Sequence, residues 1–154
     1  MQKVIRSTVI EFPVETVWDL ARQFNGHEHW HPAIASSEIE RADTDDTVGC
    51  VRRFRLADGQ ELREQLLSLS EADMAYSYCL LDTPIPLFNY VAHFRIFPIT
   101  DVDHSFCEWE SQFNTIAGQE QAMAELVGEG IYMAGFRALS QYLLKNADLE
   151  QVTS

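Results

Sequence analysis

Between Gly49 and Thr115, apolar and polar residues alternate with a period of two, strand after strand, and only then does a helical period take over. Neighbouring amphipathic strands share one apolar face that must be covered, and the chain offers a single long helix to cover it. The pattern predicts an α+β fold of antiparallel strands wrapped around that helix.

The strand faces are legible. Over Gly49–Leu56, Cys50, Arg52, Phe54 and Leu56 share one face, and Val51, Arg53 and Arg55 the other. Ala57-Asp58-Gly59-Gln60 is a hairpin signal, and Leu62, Glu64 and Leu66 share a face of the next strand. A two-residue Asp58-Gly59 loop would set Phe54 against Arg63 and mix the faces. A loop of odd length, three residues or five, aligns Phe54 with Leu62, so a bulged loop is predicted. Met74–Leu81 carries Met74, Tyr76, Tyr78 and Leu80 on one face; Asn89–Phe97 carries Tyr90, Ala92, Phe94 and Ile96. Ser37–Arg41 is a shorter strand, and Ser105–Thr115 a long last one.

At the start, Lys3–Phe12 is rich in Val, Ile and Thr and reads as a strand. Pro13 ends it, and Val14, Val17, Trp18 and Ala21 recur at helical spacing until Asn25-Gly26. A second short helix or turn holds His27 to His31. At the other end Gln119–Lys145 reads as one helix. Gly128, Ile131, Tyr132, Gly135, Leu139, Tyr142 and Leu143 lie on its apolar face, with Phe136 at the edge. The glycines there leave room for a cavity or allow closer packing. One domain is expected over 1–147, with a frayed tail at 148–154.

A formal net charge of −13 argues against nucleic acid and anionic membranes as partners, because both require a basic patch. Cys50, Cys79 and Cys107 are scattered with no CxxC pair, which suits reduced thiols. No apolar run approaches the roughly 20 residues that span a bilayer, and strand pattern begins almost at once, so a signal peptide is not expected. A cytoplasmic protein is expected. Neither a phosphate loop, a dinucleotide fingerprint nor a Ser-His-Asp arrangement occurs, and no cofactor is implied.

Arg52 and Glu64 fall among apolar residues on the inward faces of adjacent strands. Burying either alone is costly, so they pair with each other or with a ligand. That leaves two readings open: a polar anchor in an oily pocket, or an ion pair that only organises the sheet. Phe54, Tyr76, Tyr78, Tyr90, Tyr132 and Phe136 would line the same space, which suits a planar ligand or an ordinary aromatic core. The last strand is ambiguous, since Cys107, Trp109 and Phe113 alternate with Glu108, Glu110 and Gln112. His27-Glu28-His29-Trp30-His31 matches no strong zinc spacing and reads as a surface turn, with Trp30 plugging one end of the cavity. Ile85, Leu87 and Phe88 around Pro84 and Pro86 would pack over something, either as a gate at the cavity mouth or as a homodimer contact.

Phe12-Pro13-Val14-Glu15-Thr16-Val17-Trp18, Trp30-His31-Pro32, Val48-Gly49-Cys50-Val51-Arg52, Glu64-Gln65-Leu66 and Asn89-Tyr90 together resemble the START-like (SRPBCC) superfamily, of polyketide cyclase/dehydrase type. The resemblance implies a helix-grip, birch-pollen-allergen-like fold: a curved seven-stranded antiparallel sheet around a long C-terminal helix, two short helices between strands 1 and 2, and a ligand cavity. Plant abscisic-acid receptors share the pattern. They carry a lysine on the second strand, whereas Ala35-Ser36-Ser37-Glu38-Ile39 has none, so hormone reception of that type is not expected. The likeness to those receptors turns Glu110 into the cavity, where it would join Glu64 as a second buried carboxylate. The expected activity is binding of a hydrophobic or aromatic small molecule. The alternatives are a polyketide cyclase or dehydratase with a buried carboxylate or Tyr as acid/base, and a partner-binding module without ligand.

Overall fold

The computed structural model describes residues 1–153, apart from the side chains at 42 and 149–153. Seven strands form one antiparallel sheet: β1 (Gln2–Ile10), β2 (Ile34–Ile39), β3 (Val51–Leu56), β4 (Glu61–Ser70), β5 (Ala75–Asp82), β6 (Leu87–Ile99) and β7 (His104–Thr115). The spatial order is β1-β7-β6-β5-β4-β3-β2. Strands β2 to β7 form a meander because each pairs with its neighbour in sequence, and β1 adds to its far edge beside β7. The excursion from β1 to β2 carries α1 (Val14–Ala21) and a 3-10 turn at His27–His29. Pro13 stands ahead of α1, and its carbonyl accepts the Thr16 and Val17 N–H groups. Trp18 Nε1 and Arg22 Nε both donate to Glu71, which ties α1 to the β4–β5 turn. This is the helix-grip architecture that the sequence pattern and the resemblance predict.

The β3–β4 hairpin has the odd loop that the facing pattern requires. Phe54 sits opposite Leu62 and Arg52 opposite Glu64. Leu56 N–H donates to Gln60 O at 2.8 Å across a three-residue loop, Ala57-Asp58-Gly59. Gly59 has φ +91°, a conformation that costs any side chain with a Cβ. Register shifts at Leu66/Ser68 on β4 and Phe88/Val91 on β6 interrupt the ladder, the kind of irregularity that bends a strand locally.

The C-terminal helix is continuous but not uniform. α2 (Glu120–Glu125) runs into a π-helical segment, Leu126–Met133, and then α3 (Ala134–Thr153). The single long helix expected over Gln119–Lys145 is present, with a π-helical segment inside it that the helical period does not reveal. The expected fraying of 148–154 falls largely on side chains outside the described residues, and the backbone is helical to Thr153. The helix glycines serve close approach. A Cβ on Gly135 would lie 3.0 Å from Trp109 and 3.1 Å from His31, and one on Gly128 would meet the Arg6 guanidinium. Between sheet and helix sits an aromatic core. Trp109 stacks on Tyr132 at 4.5 Å between ring centroids and meets Phe136 at 5.8 Å, while Phe94 stacks on Tyr76 at 5.2 Å.

Strand β7 resolves its ambiguity in favour of Trp109. Its register with β1 runs unbroken from Gln2–Phe113 to Ile10–Ser105, with no bulge to swap faces. Trp109 is buried, so its neighbour Glu110 must point outward, where Lys3 Nζ lies 3.9 Å from its carboxylate. The cavity-facing placement of Glu110 is therefore corrected: alternation on an unbulged strand leaves only one of the two residues inside. The turn at His27–His31 is also not a surface feature, for His27 and His31 are only 2% and 4% exposed.

Candidate functional site

A cavity of about 170 Å³ lies between the β3–β6 part of the sheet and the π-helical segment. Phe54, Leu62, Leu80 and Leu87 form its apolar floor, and Ile131 its roof. Leu126 and Gly130, both exposed, mark the mouth, and Ile85 reaches in from the loop between β5 and β6. Of that loop, Ile85 and Leu87 turn inward while Phe88 stays 51% exposed. π-helical turns recur at functional sites because they displace backbone from the regular ladder; here the displaced stretch is the one that roofs the cavity.

One wall is polar. Arg52 and Glu64 project inward from paired positions on β3 and β4, as the alternation of both strands dictates. Arg52 Nε and Nη2 both donate to Glu64 Oε1, at 3.0 and 2.7 Å. Glu64 Oε2 receives no hydrogen bond among the described residues. Arg52 Nη1 donates to Phe24 O at 2.5 Å and to His27 Nδ1 at 3.1 Å, and the guanidinium lies 4.0 Å from the centre of the Phe24 ring. An arginine only donates, so His27 Nδ1 accepts, and the proton of this ring sits on Nε2. From there it faces Ala21 O at 3.4 Å and the Tyr76 hydroxyl at 3.3 Å.

His31 is committed in the same way. Its Nε2 lies 3.0 Å from Ile131 O and therefore donates, while Nδ1 accepts the Ala33 N–H at 3.2 Å. This single side chain ties the short link between the 3-10 turn and β2 to the π-helical segment. Both rings are held neutral. Burial pushes the His27 pKa well below its ordinary value, and the Arg52 charge adds to the effect. Burial also lowers His31. Burial raises the Glu64 carboxyl, with Arg52 pulling it back only in part. The Tyr76, Tyr78 and Tyr90 hydroxyls are pushed far up by burial, which makes them poor acids that keep their protons for hydrogen bonding. Among the described residues no cluster of His, Cys, Asp and Glu is arranged to hold a metal ion, and the nitrogens of His27 and His31 are already engaged.

Of the residues singled out from sequence, Arg52, Phe54, Glu64, Tyr78 and Tyr90 line the cavity. Tyr76, Tyr132, Phe136 and Trp30 are buried in the surrounding core, outside that lining. Tyr132 still acts on the wall, since its hydroxyl is hydrogen-bonded to that of Tyr90. Glu110 is on the opposite face of the sheet. Sequence reasoning missed His27, His31 and the cavity-side position of Trp109. A donor count carried a signal for the first: a buried Arg has five N–H groups, one carboxylate oxygen satisfies two, and further buried acceptors were required.

Comparison with solved structures places the fold among known proteins. A protein from Bacillus thuringiensis superposes with a TM-score of 0.83 at 28% identity, covering 93% of this chain and 99% of that one. XoxI from Bacillus cereus gives 0.84 at 29% identity, covering 97% and 99%. A norcoclaurine synthase from Thalictrum, solved as a point mutant with a transition-state analogue, gives 0.73 at 13% identity, covering 95% and 96%, and shares the fold alone. No curated protein matches the chain. The family model described as polyketide cyclase / dehydrase and lipid transport matches residues 1–143. With that match spanning nearly the whole chain, this protein belongs to the polyketide cyclase/dehydrase and lipid-transport family.

Proposed function

We propose that the protein binds a hydrophobic or aromatic small molecule in the cavity between the sheet and the C-terminal helix. The observation that carries this reading is the cavity wall itself. An apolar space of about 170 Å³ reaches a buried charged pair that keeps one carboxylate oxygen without a protein partner. Small-molecule sites are built this way, with an oily lining and few polar groups to orient the ligand. A space of this size compares with engineered cavities of roughly 150 Å³ that take a single aromatic ring. The open mouth at Leu126 and Gly130 lets a larger ligand extend outward. Its three free cysteines suit a reducing compartment, and we place the protein in the cytoplasm.

Native mass spectrometry of the purified protein, followed by denaturing extraction, tests the reading. A stoichiometric hydrophobic adduct is expected. A clean mass together with no uptake from a panel of aromatic compounds would refute it.

A second reading, an enzyme of cyclase or dehydratase type, is favoured by one observation. Glu64 lines the cavity with its carboxyl raised by burial, which moves it towards the range of a general acid or base. Turnover lost in Glu64→Gln while the fold and ligand binding persist would support the enzyme. Binding without product in the unmodified protein would leave the carrier.

A further inference from the structure

The polar complement of the cavity narrows the ligand class. Resting on the binding reading above, we propose that the site selects a neutral hydroxyaryl compound, with its hydroxyl held between Glu64 Oε2 and the Tyr78 hydroxyl and its ring against the apolar floor.

Two partly used groups carry the argument, each with one hydrogen-bonding position left over. Glu64 is 5% exposed and spends both Arg52 hydrogen bonds on Oε1, so Oε2 is an acceptor without a donor. Tyr78 is 2% exposed, and its hydroxyl accepts the Trp109 indole N–H at 3.0 Å. The Tyr78 proton itself meets no acceptor among the described residues. Buried polar groups are nearly always satisfied, so a free acceptor and a free donor on the wall of one cavity point to a ligand that completes them. Both side chains line the cavity. They are diagonal neighbours on the inner face, for Glu64 pairs with Leu80 and Leu66 with Tyr78. A hydroxyl is the smallest group that both donates and accepts.

Charge decides the rest. Arg52 and Glu64 cancel, and the hydrogen-bond roles of His27 and His31 require both rings to be neutral. A ligand carboxylate or ammonium would therefore enter an apolar space as an unbalanced charge, which is costly. A bare hydrocarbon would fit the floor but leave the Tyr78 donor and the Glu64 acceptor unmet. The aromatic preference follows from Tyr78, Tyr90 and Trp109 on the walls.

The test uses three probes that share one ring system, 2-naphthol, naphthalene and 2-naphthoate, titrated at neutral pH and followed by quenching of tryptophan fluorescence and by calorimetry. The expected order is 2-naphthol about tenfold tighter than naphthalene, as two net hydrogen bonds provide, with 2-naphthoate weakest. In Tyr78→Phe the advantage of 2-naphthol over naphthalene should shrink severalfold while naphthalene affinity holds. Equal affinity of 2-naphthol and naphthalene overturns the hydroxyl recognition and leaves the cavity reading standing. Binding of 2-naphthoate as tight as 2-naphthol overturns the neutrality. Failure of all three probes, naphthalene included, overturns this proposal, and together with a clean native mass it removes the binding reading as well. Should Tyr78→Phe fail to fold, the order among the three probes on the unmodified protein still decides.

Discussion

Adjacent positions on β4 present the same chemistry to opposite environments. Glu64 faces inward and meets Arg52 with both side chains almost wholly buried. Arg63 faces outward and pairs with Glu40 at 2.6 Å and Asp82 at 2.7 Å, and Arg53 shares Glu40. By distance the two clusters are equivalent. In water, the outer one gains little, because solvent screens it and ordering the long side chains opposes it. On the inside, neither charge tolerates the loss of the other. Ion-pair geometry alone therefore does not tell which cluster matters; its surroundings do. The inner pair borders the apolar cavity between sheet and helix, whereas Arg53 of the outer cluster lines a polar pocket on the opposite, solvent-facing side of the strand.

The largest expected effect breaks the inner pair on one side. Arg52→Leu strands Glu64 and removes donors from Phe24 O and His27, at a cost of about 3–5 kcal/mol by denaturant unfolding. Replacing both partners, as Arg52→Leu with Glu64→Leu, should return stability to within roughly 1–2 kcal/mol of the parent, because well-packed apolar residues substitute for a buried pair. That folded double variant should have lost preference for polar aromatic ligands. Undiminished binding in it would reduce the pair to a sheet-organising device.

Next in size is the pH dependence of the histidines behind the pair. His27 and His31 titrate lower in the fold than their ordinary value of 6.5. The unfolded chain thus binds protons that the fold refuses. Their contribution is complete above pH 6.5 and is lost as pH falls below it, at up to about 1.4 kcal/mol per pH unit for each group. Thermal unfolding from pH 8 to pH 5 should show a Tm that declines below about 6.5, and His31→Gln should flatten part of that decline. A flat profile in the unmodified protein would mean that one or both rings accept a proton in place. Glu40 acts in a separate window: Arg63, hydrogen-bonded to it, holds its pKa at about 2, so its contribution fades only as pH falls from 4.5 towards 2.

The smallest effect belongs to the outer cluster. Arg63→Ala should lower Tm slightly in dilute buffer and indistinguishably in about 1 M salt, where charges are screened beyond ~3 Å. A large, salt-independent loss would erase the contrast between the two faces of β4.

Much of this organisation is readable from residue order. Period-two alternation assigned the inner faces of β3, β4, β5 and β6, and the mismatch of Phe54 with Arg63 demanded the odd hairpin loop. The cost of burying either alone required Arg52 and Glu64 to pair with each other or with a ligand, and the register of β3 with β4 supplied the first. Alternation failed at β7, where Trp109 and Glu110 each had a case for the interior; the unbroken register with β1 decided it. It also had nothing to say about His27 and His31, which belong to a short irregular segment with no period to read.

What the sequence by itself determined is the side of each regular strand that faces inward, the helix that covers it, and the family. Which inward residues border empty space was decided by tertiary structure alone. Tyr78 and Tyr90 line the cavity while Tyr76 and Tyr132, equally inward and equally buried, pack into the core. The physical reason is that side-chain periodicity reports direction, whereas a void depends on how far the opposite element stands off. Here that distance is set by Gly128 and Gly135 drawing the helix in and by the π-helical segment that contains Gly128.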